Sequence, residues 1–450
     1  MSVQSLLLTL LLVSVLAFWL GRRRARGLFS AMPGNRRLHS QPGHYGIWTA
    51  LWCGLPALLI VLVWSLVDDP LLTRIVLADS SPAEIEEVRL VLGGADRASV
   101  DPQLVAAADR YVHLERIGNR AMAVTALAAA LAGAFLSWMR IRPGFRARMR
   151  VEQAVYGSLR VSSCLVVCVT LGIVLSIVFG SFKFFREVPI LDFLFGLHWS
   201  PRPVIQAGQD GGYSAFGVLP VLTGSLLIAV IAMLVAAPLG LFSAVYLSEY
   251  AGPRFRAAAG SLLEILAGIP AVVYGFFAVL LVAPGLHLFG DRIGLSVAPE
   301  SALAAGLVIG VMIIPFVCSL AADSIAAVPR SLRDGSLALG ATSSETIRLV
   351  VVPAARPGII ASLLLAFSRA LGETMIVVMV AGLAGNLTAN PLHAVTTITV
   401  QIVMLLSGDQ IFDNPRSQAV FALGLVLFAI TLVLNALALY ATRAYREEDA

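Results

Sequence analysis

Charge is scarce along this chain, and what is missing narrows its class. Charged residues fill 13% of 450 positions, against roughly 25% in soluble domains. With 58% hydrophobic residues and a mean hydropathy of +0.87, the chain is no soluble globular domain. Cysteine is sparse too: Cys53, Cys164, Cys168 and Cys318 all lie in apolar runs. None has a His or Cys partner at zinc-ligand spacing, so structural thiols are expected rather than a disulfide or a metal site. No Gly-x-x-x-x-Gly-Lys loop is present, so the chain has no phosphate cradle of its own for nucleotide hydrolysis. The net charge of +5 is nearly all arginine and gathers beside the apolar runs. That pattern reads as membrane topology, not as a nucleic-acid footprint.

What is there is long apolar runs. A helix needs about 20 apolar residues to cross the hydrocarbon. Nine runs qualify: Val3–Leu20, Ile47–Val67, Met122–Met139, Leu165–Phe182, Leu219–Leu247, Ala258–Leu286, Ala302–Ala322, Gly358–Leu383 and Ala419–Tyr440. The fold class is therefore all-α, a polytopic membrane protein. The first run is followed, not preceded, by Arg22, Arg23, Arg24 and Arg26, the polarity of an anchor rather than a signal peptide. Segment Gly21–Tyr45 holds six arginines and no acid, and Arg140–Arg160 holds six against one Glu. Between them, Asp68–Arg120 carries ten acids and six arginines. The positive-inside rule then expects the N-terminus outside and the C-terminus in the cytoplasm.

The chain divides near residue 150. Residues 1–150 are expected to form a three-span unit with an outside loop, 68–120. Pro70, Gly93-Gly94 and Pro102 interrupt that loop, leaving Ala83–Leu92 and Gln103–Arg116 as short helix candidates. His113 stands alone among charges there and is expected to be solvated. No constellation in this unit points to chemistry. Residues 151–450 form a six-span unit with both ends inside, and it holds two informative features.

The first is Arg369 and Glu373, four residues apart in the apolar run Gly358–Leu383. As one helix this spacing puts both on one face. Each ion costs roughly 2.5–3.5 kcal/mol near the centre of a membrane helix, so the face should look into protein or a polar path. Two readings stand: an ion pair that orders helix packing, or a fixed cation, steered by its own carboxylate, on the route of an anion. Glu264 is expected to be a snorkelling structural acid rather than a path residue. Gly268, Pro270 and Gly275 either break the sixth span towards a path or serve its packing.

The second is the polar segment Asp323–Pro357. Asp334 is expected to cap a short helix ended by Gly340, with a second starting at Ser343 or Ser344. Pro353 and Pro357 should stop helical propagation before the next span. Such a knob is either a handle for a soluble partner or an ordinary connecting loop.

This segment resembles the cytoplasmic coupling loop of ATP-binding-cassette (ABC) importer permeases. The family pattern is Glu-Ala-Ala, three residues, Gly, nine residues, Ile-x-Leu-Pro. Here Asp334-Gly335-Ser336 is followed by Gly340 and then Val350-Val-Val352-Pro353, with Asp in place of Glu and both alanines replaced. Segments His198-Trp-Ser-Pro201, Ser214-Ala-Phe-Gly217, Tyr246-Leu-Ser-Glu-Tyr250, Gly268-Ile-Pro-Ala-Val-Val-Tyr-Gly275 and Ser368-Arg-Ala-Leu-Gly-Glu-Thr-Met375 resemble phosphate-specific permeases. Trp-Ser-Pro and the Met after Gly-Glu-Thr look like the PstC-type subunit. The resemblance covers about 155–445 and makes this an elongated variant with a three-span N-terminal extension.

The resemblance implies a type I importer permease core in the bacterial inner (plasma) membrane. It implies heterodimerisation with a PstA-type permease, an ATPase subunit that hydrolyses ATP, and an outside binding protein delivering phosphate. Arg369 and Glu373 match the family's translocation path; Asp334, Gly335, Ala338, Leu339, Gly340 and Pro353 match its ATPase coupling loop. No cofactor, metal or nucleic acid is implied, and no catalysis by this chain. Two other functions stay open: a same-fold permease for phosphonate, molybdate or another solute, and a membrane sensor or scaffold reporting phosphate status.

Overall fold

The computed structural model describes residues 3–30, 40–76, 102–142, 144–201, 215–407 and 415–448. Among these, nine helices are long and apolar enough to cross a membrane. Two compact units emerge, Met1–Cys168 and Val169–Ala450, and the division falls within one helix, Ala147–Glu187.

The first unit packs α1 (Val3–Ser30), α2 (Pro42–Val76) and α3 (Pro102–Met139), followed by the start of α4 (Ala147–Glu187). Leu6, Leu10, Ala17, Cys53, Ala57, Met122 and Ala126 make its buried core. Cys53 is one of the core's packing groups, and the Ser14 hydroxyl donates to its sulfur at 3.8 Å. At one end Tyr45 donates to the Phe145 carbonyl at 2.8 Å, while the Arg24 guanidinium stacks 3.8 Å from the Trp138 ring. The helices run further than hydropathy alone expects. Gln103–Arg116 is the first part of the 38-residue α3, not a short helix of its own. Asp109, Arg110 and Arg116 are exposed there, as suits a helical extension beyond the apolar run. The expected helix Ala83–Leu92 and the Gly93-Gly94 break lie outside the described residues. His113 is exposed on α3.

The second unit begins within α4 and continues through α5 (Ile190–Phe195), β1 (Trp199–Ser200) and β2 (Ala215–Phe216). The strands pair antiparallel with Trp199 opposite Phe216, so two of the short family-like segments are neighbours in space. Phe184 meets Phe193 and Phe216 edge-on, each at 5.4 Å, the arrangement that aromatic quadrupoles favour.

The core of this unit is the packing of α6 (Leu219–Val245) on α10 (Ala302–Ala326). Lipid tails are as apolar as leucine, so membrane helices gain by close van der Waals contact through small residues. Ala229, Ala232 and Ala236 of α6 and Ala302, Ala304 and Ala305 of α10 are all buried in this core, and Gly306 packs against Ile231 and the Ile228 carbonyl. A Cβ at Gly310 would stand 2.8 Å from the Ala232 carbonyl oxygen, so only glycine permits this approach.

Two spans differ from expectation. The sixth is not one helix. It comprises α7 (Pro253–Gly268), α8 (Ala271–Phe277), a π turn at Ala278–Val282 and α9 (Ala283–Arg292). Pro270 has no N–H and forces Ile269 out of the helical region (ψ 128°). The membrane-crossing stretch is therefore Ala271–Arg292. Gly268 closes α7 beside this break. Gly275 is not part of the break; it is buried where any side chain would meet Met379 Sδ at 2.7 Å.

The eighth span starts earlier and ends sooner than Gly358–Leu383. It runs through α12 (Ser343–Thr346), a π turn at Ile347–Val351 and α13 (Val352–Leu371). Pro353 and Pro357 do not stop it. Pro353 sits in the first turn of α13, where a missing N–H costs least, and the π turn just ahead redistributes the backbone bonds. Gly372 then ends α13, and a short α14 (Met375–Val380) follows. After α15 (Ile398–Leu406), the chain closes with α16 (Pro415–Glu448).

Candidate functional site

A cavity of about 560 Å³ opens between the end of α6, α7, the Ile269 break, α10 and the end of α13. Five charged side chains line it: Arg256, Glu264, Asp323, Arg369 and Glu373. Its remaining wall includes Met312, Pro315, Phe316, Cys318 and Ser319 of α10. Ile269, the extended residue at the helix break, lies on the cavity edge. Irregular backbone at membrane depth is tolerated where it lines such a space.

Arg369 and Glu373 both face this cavity, but not from one helical face. Arg369 occupies the last turn of α13, where a cation meets the negative end of the helix dipole. Glu373 lies beyond the helix end. Its carboxylate accepts the Met375 N–H at 3.2 Å, and its carbonyl accepts the Thr399 hydroxyl at 2.9 Å. Among the described residues no ion pair joins the two. Instead, the Arg369 guanidinium sits 5.4 Å from the Phe316 ring centroid. The i, i+4 expectation fails because Gly372 stops the helix between them. What results is an arginine with free donors and a carboxylate held by backbone across the break.

Glu264 is an exposed residue of α7, ahead of the membrane-crossing stretch, and it lines the cavity. Asp323 and Arg256 were not singled out by sequence reasoning. Asp323 opens the polar segment after the seventh apolar run, a position that could have flagged it; Arg256 carries no comparable signal.

The polar segment after α10 is built as two short helices. α11 (Arg330–Ala338) starts at Pro329, so Asp334 is a mid-helix residue and not a cap. Pro329 is the N-cap, with extended backbone (ψ 138°) just ahead of the first turn. Gly335 and Ala338 continue α11, and Leu339 is its C-cap. Gly340 follows at φ +89°. Its N–H donates to the Leu337 carbonyl at 3.0 Å, and that of Ala341 to Ser336 at 3.2 Å. This is a Schellman ending, which calls for glycine at the left-handed position. Thr342 caps α12 in a reciprocal box with Glu345, whose carboxylate accepts the Thr342 N–H at 2.8 Å. The Thr-x-x-Glu spacing carried this signal in the sequence. The Ser336 and Thr346 hydroxyls, 2.9 Å apart, join the two helices. Leu339 is 91% exposed at the tip. Pro353 lies past the π turn, off this knob and in α13.

Comparison with known proteins agrees with this architecture. A family model described as "Binding-protein-dependent transport system inner membrane component" matches residues 236–447. Another, described as "Phosphate ATP-binding cassette transporter", matches residues 7–98, within the first unit. The probable ABC transporter permease protein YqgH of Bacillus subtilis is 34% identical over 62% of this chain and 87% of its own length. The probable phosphate transport system permease protein PstC of Methanocaldococcus jannaschii is 30% identical over 61% and 90%. PstC of Mesorhizobium japonicum is 31% identical over 65% and 90%. The chain belongs to the permease family of binding-protein-dependent ABC importers, a family of multi-pass membrane transport subunits.

Proposed function

We propose that this chain is the PstC-type permease of an ATP-driven phosphate importer in the bacterial inner membrane. It pairs with a PstA-type permease, takes its energy from an ATPase docked on α11 and receives phosphate from an outside binding protein. The N-terminus lies outside and the C-terminus inside, as the arginine distribution favours. The observation that carries the reading is Arg369 on the cavity wall, a guanidinium without a carboxylate partner at the end of a broken span. Its fork of donors suits a tetrahedral oxyanion. Glu264, Asp323 and Glu373 around the same space oppose tight binding, and conduction needs a site weak enough to let the ion leave.

The relatives named as phosphate permeases favour phosphate over phosphonate or molybdate. ATP hydrolysis belongs to the partner. Asp334, Gly335, Ala338, Leu339 and Gly340 present the surface it would grip, and the exposed Leu339 is suited to a pocket on it. The test is uptake of labelled phosphate by cells that depend on this importer, with molybdate and methylphosphonate as competitors. Competition by unlabelled phosphate alone supports the assignment. Stronger competition by another oxyanion would transfer it to that solute, and no uptake would favour a sensor.

A further inference from the structure

The end of α6 and the middle of α11 are 84 residues apart in sequence, yet an ion pair joins them. Arg333 Nη2 donates to Glu249 Oε1 at 2.9 Å, and the two side chains are only 20% and 14% exposed. Arg148–Glu152 and His287–Asp291, the other ion pairs among the described residues, are far more open. The same guanidinium also donates to the Ile325 carbonyl at 2.8 Å and to that of Val328 at 3.2 Å. One side chain therefore holds the end of α10, the connector and the end of α6 together. A rigid fork of donors makes this possible, and a lysine could not match it.

Glu249 reaches Arg333 from a π turn. Tyr246–Tyr250 continues α6 with one residue more per turn, closed by the Ala251 N–H on the Tyr246 carbonyl at 2.8 Å. An inserted residue swings the side chains that follow by about 100° around the axis, and such turns gather at functional sites. The neighbours of Glu249 in this turn belong to the cavity. Leu247 and Ser248 line it, and the Ser248 carbonyl accepts a hydrogen bond from Arg256, another lining residue. A continuous chain of contacts thus runs from α11 through Arg333 and Glu249 to the cavity wall.

We propose that the Arg333–Glu249 pair is the positioning link that carries movement of α11 to the cavity holding Arg369. The proposal rests on the importer reading above. A partner pressing on α11 moves Arg333, whose three acceptors leave it little freedom of its own. The load passes to Glu249 and so to the π turn, which reshapes the wall formed by Leu247 and Ser248. A pair that merely fastened the fold would act differently: its loss would lower the amount of folded protein and leave the ATP used per phosphate unchanged.

The experiment reconstitutes the complete importer, purified with its partner subunits, in proteoliposomes. ATP hydrolysis and phosphate uptake are measured together and normalised to folded chain. Arg333→Gln should retain the ATPase subunit and its hydrolysis while uptake falls, raising ATP used per phosphate by about tenfold, within the usual range of coupling effects. Glu249→Gln keeps an acceptor oxygen and should raise the ratio by a smaller factor. The double variant should match Arg333→Gln alone, because two halves of one link are not additive. Unchanged ratios in both single variants, or effects that multiply in the double, would overturn the link. If Arg333→Gln does not insert, Glu249→Gln decides: a raised ratio supports the link and an unchanged one overturns it. A wild-type importer that hydrolyses ATP without carrying phosphate would instead overturn the importer reading, and the link with it.

Discussion

Arg369 and Phe316 form the charged corner of the cavity, with the guanidinium carbon 5.4 Å from the ring centroid. An aromatic face steadies a cation without neutralising it, so the donors of Arg369 stay available to an anion. Glu373, tied to the Met375 N–H, is not their partner.

The two single substitutions should therefore behave differently. Arg369→Gln removes the attraction and should stop phosphate uptake, because the anion then meets carboxylates in a low-dielectric passage. Glu373→Gln leaves Arg369 less opposed and should lower maximal flux more than apparent affinity. Expression-normalised uptake kinetics check both. Well-inserted Arg369→Gln protein with wild-type uptake would remove this residue from the path.

Gly340 sets the shape of the α11–α12 knob, the proposed ATPase contact, through its φ of +89°. Gly340→Ala should weaken the knob by about 1–2 kcal/mol, the cost of a left-handed L-residue, and leave partial uptake. Gly340→Pro fixes φ near −65° and deletes the N–H that donates to Leu337. It should abolish ATP-driven uptake while the protein still inserts. Normal uptake by the proline variant would end the coupling assignment of α11.

Orientation is checked by labelling. A cysteine at Ala95, which is outside the described residues, should react with an impermeant thiol reagent in whole cells. One at Ser343, the first residue of α12, should react only after permeabilisation. Labelling of Ser343→Cys in intact cells would invert the proposed topology.

Gln401 is a buried polar hub. Its Oε1 accepts the Trp199 indole N–H at 2.8 Å, and its Nε2 donates to the Leu383 carbonyl at 3.0 Å and to Thr396 at 3.1 Å. Gln401→Leu strands two buried partners, Trp199 and Thr396, and frees the carbonyl of the exposed Leu383; it should destabilise the chain by about 1–3 kcal/mol for each buried group. Trp199→Phe removes one donor and should cost less. The thermal midpoint of detergent-solubilised protein ranks the two; a Gln401→Leu midpoint equal to wild type would refute the hub.

The sequence by itself determined the class, the number of spans, the helix–turn–helix segment around Gly340 and the charged residues of the eighth run. Those properties are local. A run of about 20 apolar residues marks a candidate span from local composition alone, and Gly340 followed by Thr342-x-x-Glu345 specifies a helix stop and a helix start within a few bonds. Tertiary structure decided where spans break and what the breaks bring together. Whether Pro353 ends a helix or rides behind a π turn depends on how neighbouring elements satisfy the freed backbone groups, so two similar-looking prolines, Pro270 and Pro353, had opposite outcomes. Arg369 and Glu373 read as one helical face only until Gly372 separated them. Glu264 and Asp323 joined them through the path of α7 and α10, and Arg333 met Glu249 across 84 residues. No periodicity encodes such meetings, because they arise only when α6, α10 and α11 have packed.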